Sequence, residues 1–308
     1  MKLGIRLPYH CESVTGADLA RVATAAEEAG MHSGWVADHL VFPAGRMTSR
    51  STTTKDGRYP RPLDETTLES WTTLAYAAAV TTRLKLGVGV CVLPYRNPLV
   101  LAKVVATLDV LSGGRVLCGV GLGWIKEEFD ALGAPYHTRR AYSEESIELL
   151  RRCWESSPVE YHGQHIRVED PVHFVPRPAA QVPIIVGGHS APALRRAARI
   201  GDGWIGHELM PDEVAEVRSR LTGMAEDGLR PGFQVVVSRL MNPRGIEGGD
   251  PAKLDTDSTT ELADVLARYE EAGTDVLLCE PTVRTVDALL RLIERVHEAG
   301  DRNSMLVA

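Results

Sequence analysis

Four of the ten histidines, His10, His39, His189 and His207, each sit shortly beyond an apolar run. Imidazole titrates near neutrality, so each is a candidate proton donor or acceptor. Asp38 precedes His39 and brings a carboxylate that can orient the ring or contact a ligand. The run Gly187-Gly188-His189-Ser190 points to different chemistry. Two glycines admit a ligand close to the backbone, and a helix starting there offers free N–H groups and the positive end of its dipole to an anion such as phosphate. Trp124, after Gly121-Leu122-Gly123, can wall an apolar site. A metal centre is not indicated, because neither His-x-His nor His-Glu-x-x-His occurs. The run 119–123 lacks the Gly-x-Gly-x-x-Gly spacing of a dinucleotide site. Plainer readings compete: a loop hydrogen bond for each histidine, and a simple strand-to-helix turn for the glycine pair.

The segment 40–62 carries Arg46, Arg50, Lys55, Arg58 and Arg61 against Asp56 alone, a local charge of +4 in a chain of net charge −7. Such a stretch is expected either to fold over an anionic ligand as a lid or to be a solvated surface loop. Its length and its Ser51-Thr52-Thr53-Thr54 run favour mobility.

Elements of alternating type must position these residues. Strands are expected at residues 3–7, 34–37, 84–93, 115–120, 182–186, 203–206, 234–240 and 276–279, mostly as apolar runs suited to burial on both faces. Helical spacing follows each of them, with capping patterns at Thr15-Gly16-Ala17-Asp18, at Ser190 and at Ser258-Thr259-Thr260-Glu261. A hairpin is expected within 161–175 and a loop over 243–258. Eight strand–helix units in 308 residues fit one (β/α)8 TIM barrel with insertions in its βα loops, spanning 1–308 as a single domain. A doubly wound open sheet is the competing architecture. Barrel sites form at the C-terminal ends of the strands, and that rim receives His10 and Cys11, Asp38 and His39, Cys91 to Arg96, Gly121 to Trp124, Gly187 to Ser190, His207 and Glu208, and Glu280.

Composition narrows the function. Basic residues number 34 and acidic residues 41, which argues against nucleic acid as a partner. No apolar run approaches the roughly 20 residues that span a bilayer, so no membrane partner is expected. The N-terminal run 1–7 is too short and polar for a signal peptide, and five dispersed cysteines without a Cys-x-x-Cys pair suit a reducing cytoplasm. A small-molecule substrate is the expected partner.

Several motifs together resemble the bacterial-luciferase-like flavin-dependent oxidoreductases. They are Val88-Gly89-Val90-Cys91-Val92-Leu93-Pro94-Tyr95-Arg96-Asn97-Pro98, Leu111-Ser112-Gly113-Gly114-Arg115, Gly119 to Trp124 with Glu127-Glu128-Phe129, and Pro183 to Gly188 with Gly201-Asp202-Gly203-Trp204. The resemblance covers nearly the whole chain and is strongest to the branch that uses the deazaflavin coenzyme F420. It implies a TIM barrel with insertions and a homodimer. It also implies a non-prolyl cis peptide at Gly89-Val90, in a bulge under the deazaflavin ring, with Cys91, Gly121 and Gly123 nearby. Gly187 and Gly188, with His189 and Ser190, would lie at the cofactor phosphate. Asp38 and His39 match the family's Asp-His pair, with His39 at the reactive face of the ring and Asp38 against the ring or the imidazole. Sugar-phosphate dehydrogenases of this branch carry a catalytic Glu where this chain has Trp124, so glucose 6-phosphate is not the expected substrate.

The resemblance implies an F420-dependent oxidoreductase that moves a hydride to or from a small organic substrate. His39, Asp38 and Trp124 would serve catalysis, while Arg46, Arg50, Arg58, His10 and His207 would face the substrate or close over it. The alternative is an FMN-dependent monooxygenase using O2. A cofactor-free binding or structural barrel is the third reading.

Overall fold

The structure, a computed structural model, describes residues 1–11, 13–44, 65–243, 253–303 and 305. Among the described residues, eight parallel strands close into a barrel. They are β1 (Lys2–Arg6), β2 (Ser33–Val36), β3 (Lys85–Val92), β4 (Val116–Gly121), β5 (Ile184–Gly187), β6 (Gly203–His207), β7 (Gln234–Asn242) and β8 (Val276–Pro281). Each pairs in parallel with the next, and β8 pairs with β1 at Leu3↔Leu277 to complete the ring.

The strands bury both faces, as β4 and β8 do at every position. One face fills the barrel interior with Trp35, Leu117, Ile185, Ile205, Val236, Val276 and Leu278. The other packs against the surrounding helices. Trp35 is fully buried inside the ring, and its indole N–H donates to Ser33 Oγ at 2.8 Å, so a rare aromatic supplies bulk to the interior without an orphaned donor.

The helices are α1 (Gly16–Glu28), α2 (Ser70–Val80), α3 (Pro98–Ser112), α4 (Lys126–Leu132), α5 (Arg139–Glu155), α6 (Ala191–Ile200), α7 (Pro211–Met224), α8 (Thr259–Glu271) and α9 (Val286–Arg302). Their inward stripes recur at helical spacing, as with Leu289, Leu292, Ile293 and Val296 on α9. The expected caps are in place: Thr15 and Asp18 form a reciprocal capping box, Ser190 accepts from Ala193 N, and Ser258 accepts from Glu261 N.

The structure differs from the sequence expectation at three points. First, β1 ends at Arg6, and His10–Cys11 form a separate antiparallel pairing with Thr66–Thr67 beyond Pro8. Second, α5 begins at Arg139, before the expected residue 143. Third, Leu254–Asp255 extend the sheet beside Met241–Asn242, within the segment expected to be loop. The hairpin of Val159–His162 with Arg167–Val172 stands between α5 and β5 as expected. Among the described residues no helix is long and apolar enough to cross a membrane.

Candidate active site

A cavity of about 420 Å³ opens at the C-terminal ends of the strands. Its apolar side is built by an irregularity in β3. The pairing of β3 with β4 shifts register between Val88 and Cys91, and the Gly89–Val90 peptide within that shift is cis. Val90 presents its two methyls to two glycines. A Cβ on Gly121 would come 2.5 Å from Val90 Cγ2, and one on Gly187 2.8 Å from Cγ1. Both distances are shorter than carbon atoms tolerate, so β4 and β5 admit the Val90 side chain only because these positions lack one. Leu122, Trp124 and Ile205 also line the cavity.

His39 sits at one end. Its Nδ1 lies 2.9 Å from Oε2 of Glu128, a side chain with no solvent exposure at the third position of α4. With Nδ1–H donating to that carboxylate, the tautomer and ring orientation are set. The other Glu128 oxygen accepts the backbone N–H groups of Leu40 (2.7 Å) and Val41 (3.2 Å), and Tyr95 OH donates to Oε2 at 2.9 Å. Burial and the adjacent Glu128 charge push the Tyr95 phenol up, so it stays a donor.

Asp38, 3% exposed, serves the framework. It accepts from Val92 N (2.8 Å) and Ser70 Oγ (3.0 Å), and takes both Arg96 guanidinium nitrogens at 2.6 and 2.8 Å. These bonds tie the ends of β2 and β3 to the start of α2. Among the described residues Asp38 makes no hydrogen bond to His39. The carboxylate on His39 is Glu128.

The opposite end of the cavity is an anion cradle. Gly188 holds φ +123°, a left-handed setting that a side chain would strain, and a Cβ there would meet the Ala193 Cβ at 2.9 Å. Ser190 caps α6, whose first turn faces the cavity through Ala193. His189 Nε2 accepts the His207 backbone N–H at 3.1 Å, which leaves the ring proton on Nδ1. Burial and the neighbouring His207 charge shift His189 toward the neutral form. Arg196, from the second turn of α6, reaches the same space with its side chain 4% exposed.

A third polar group lies across β1, β6, β7 and β8. Arg6 pairs with Glu280, Ser238 Oγ donates to the same carboxylate, and His207 Nδ1 is 3.4 Å from Ser238 Oγ. Burial alone would raise the Glu280 carboxyl, but the charges of Arg6 and His207 and the bonds from Arg6 and Ser238 bring it down to about 2. Glu280 is therefore an anion under ordinary conditions.

The cavity gathers Asp38, His39, Gly89, Val90, Gly121, Gly123, Trp124, Gly187, Gly188, His189, Ser190 and His207 from the expected set. Two residues fall elsewhere. Cys91 is fully buried among the residues packed against the helices, because strand alternation turns it away from Val90's side. Burial, then the Asp38 charge, raise its thiol well above the usual range, so it is no nucleophile. His10 bonds Thr67 Oγ1 (2.7 Å), has its Nε2 3.0 Å from a Glu65 carboxylate oxygen, and is not among the described residues that line the cavity. Arg46, Arg50 and Arg58 lie outside the described residues. Arg6, Arg196 and Ser238 do not belong to the expected set, and Glu128 enters it only within the Glu127-Glu128-Phe129 motif, with no role attached. A charge closing the apolar run Leu3-Gly4-Ile5 was a usable signal for Arg6.

A flavin-like group fits this site. The volume suits a drug-sized ligand, the Val90 bulge offers an apolar face, and the glycine loop with buried Arg196 offers an anion-binding end. The sequence model for the luciferase-like monooxygenases matches residues 1–242. An uncharacterised protein of Mycobacterium tuberculosis is 31% identical over 305 residues, covering 96% of this chain and 97% of its own. The F420-dependent glucose-6-phosphate dehydrogenase of Amycolatopsis mediterranei is 32% identical over 206 residues, covering 64% of this chain and 56% of its own. The EDTA monooxygenase of Chelativorans sp. BNC1 shares the fold, with a TM-score of 0.80 at 14% identity over 99% of this chain and 95% of its own.

Proposed function

This chain belongs to the luciferase-like monooxygenase family and is an oxidoreductase, and from that premise we propose that it uses coenzyme F420 to move a hydride to or from a small organic substrate. The observation that carries the reading is one cavity with the His39–Glu128 pair at one end and the Gly187–Ser190 cradle at the other, either side of the Val90 bulge. The 32% identity to an F420-dependent dehydrogenase supports the choice of cofactor.

When bound, a 5-deazaflavin supplies two-electron hydride chemistry. The chain's residues do the rest. Gly187, Gly188, His189 and Ser190 hold the phosphate against the α6 N-terminus, and Arg196 neutralises it. Gly89, Val90, Gly121 and Gly123 shape the bed of the ring. His39 exchanges through Nε2 the proton that accompanies each hydride, while Glu128 holds Nδ1–H and stabilises the imidazolium. Trp124, which has no carboxyl group, excludes water with Leu122 and Ile205. Asp38 keeps the ends of β2 and β3 in place. His207 faces the substrate. Trp124 also stands against glucose 6-phosphate as that substrate.

The second reading is an FMN-dependent monooxygenase using O2, favoured by the family's description. Single-turnover oxidation and reduction with each cofactor, with and without O2, separates the two. An O2 requirement for product would replace the first reading with the second.

We also place the protein in the cytoplasm, in keeping with five buried free cysteines. Its homodimer is proposed to form on α2 and α3, where Tyr76, Val100, Val104 and Leu111 are exposed. Light scattering of wild type and Leu111→Glu tests this assembly: a dimer that becomes a monomer supports it, and an unchanged mass moves the interface elsewhere.

A further inference from the structure

Tyr95 enters the cavity from the single 3-10 turn Leu93–Tyr95 that follows β3. Its ring is fixed by packing. It meets Phe129 edge-on, with centroids 4.8 Å apart at 73°, and Phe129 meets Tyr136 in the same way at 5.1 Å. Arg96, the next residue, is clamped by Asp38 and by Glu69 at 2.8 Å. The hydroxyl is therefore aimed by contacts that do not include it, and it donates to Glu128 Oε2 at 2.9 Å.

That oxygen is also the one held by His39 Nδ1, at 2.9 Å, while Oε1 takes the backbone N–H groups of Leu40 and Val41. Four donors thus occupy the roughly four lone-pair sites a carboxylate offers. Two of them are backbone amides. The other two, the imidazole and the phenol, share Oε2. Hydrogen bonds to an ionised oxygen are strong because each donor proton offsets part of its charge. What the phenol offsets at Oε2 is withheld from the imidazole. Burial and the Glu128 charge push the phenol up, so it stays a donor and adds no second negative charge.

We propose that Tyr95 is a positioning residue that acts on His39 through Glu128: by sharing Oε2 it limits how tightly the carboxylate holds the protonated imidazole, so that the ring releases its proton at Nε2. The inference rests on the proton exchange given to His39 above and adds the residue that balances it. A proton exchanger works best when both of its forms are populated at the working pH. A carboxylate with no solvent exposure and His39 as its one side-chain donor would favour the protonated form.

The surrounding charges are arranged independently of this bond. Among the described residues, Asp38 and Arg96 pair beside Tyr95, Lys126 pairs with Asp130 at 2.5 Å on α4, and Glu127 precedes Glu128. His10, with Glu65, stands beyond Phe42, which packs on the His39 ring with centroids 4.8 Å apart. Among the described residues none of these side chains bonds Glu128, so removing the Tyr95 hydroxyl changes the load on Oε2 and leaves the ion pairs in place.

The test follows the His39 ring nitrogens by NMR against pH in the full chain, with and without F420, the signals being identified by their loss in His39→Ala. Tyr95→Phe keeps the ring against Phe129 and should raise the pH at which the imidazole is half protonated by about 0.5–1 unit, with the proton retained on Nδ1. Glu128→Gln should lower it. Fluorotyrosine placed at position 95 has the more acidic hydroxyl and is the stronger donor, so it should lower the midpoint without changing the packing. It decides the matter if Tyr95→Phe does not fold. A midpoint that is unchanged or lower in Tyr95→Phe, while Glu128→Gln lowers it, overturns the inference and leaves the His39–Glu128 pair intact. A midpoint that moves in none of the variants overturns both.

Discussion

Glu128 holds the Nδ1 of His39 at 2.9 Å from a carboxylate with no solvent exposure, across 89 residues of sequence. A charge placed there sets the tautomer and supports the protonated ring when it forms. The same carboxylate also accepts from Leu40 and Val41, so it both orients the imidazole and fixes the backbone that carries it.

Glu128→Gln keeps an acceptor for those amides and removes the charge. Single-turnover hydride transfer should slow by about tenfold or more, with the cofactor Kd unchanged and a larger solvent isotope effect. A variant that was merely less well folded would lose active sites without moving the isotope effect. His39→Ala should cost more, about 10²- to 10⁴-fold in rate. An unchanged rate in His39→Ala removes this residue from the chemistry.

Asp38→Asn should act on stability first. It leaves the largely buried Arg96 without its bidentate partner, a loss of about 3 kcal/mol, measured by urea unfolding. Protein that remains folded should still bind cofactor. A stable variant that has lost only turnover would return Asp38 to the chemical role expected from its place beside His39.

The barrel, the rim loops and the pair Asp38–His39 were legible because apolar periodicity marks buried strands, and a barrel puts chemistry just past their C-terminal ends. The residues that complete the site were not. Glu128 sits in a helix beyond β4, and Arg196 in the second turn of α6. Helical acids and bases are usually solvated, so only the fold reveals that these two turn inward. Cys91 and His10 lie off the described cavity for related reasons. The Gly89–Val90 irregularity breaks simple alternation along β3, and the chain past Pro8 pairs with Thr66–Thr67 rather than extending β1.

Gly187→Ala should destabilise the protein by about 1–3 kcal/mol through the clash with Val90, and should weaken cofactor binding. Adding Val90→Ala should recover part of the stability, a coupling of about 0.5–3 kcal/mol in a double-mutant cycle. Simple additivity of the two changes would show that the Val90 methyls do not require a glycine at this position.

Acid should find Glu280. Its carboxyl titrates at about 2 when folded and near 4.5 when unfolded, so the unfolded chain binds more protons between those values. The contribution is present above pH 4.5 and lost as pH falls toward 2. His32 acts in the same direction at higher pH: burial, then Lys2 and Lys85, lower it from 6.5 to about 4, so its contribution is lost between those values. Unfolding free energy followed against pH should show a shallower acid slope in Glu280→Gln than in wild type. Identical slopes would mean that Glu280 is no more acidic in the fold than in the unfolded chain.

The most direct test of the central claim is an equilibrium titration of the purified protein with coenzyme F420 and, separately, with FMN, followed by fluorescence. The site described here predicts saturable F420 binding that is tighter than FMN binding and is weakened by Arg196→Gln. Tight FMN binding with none for F420 would contradict it.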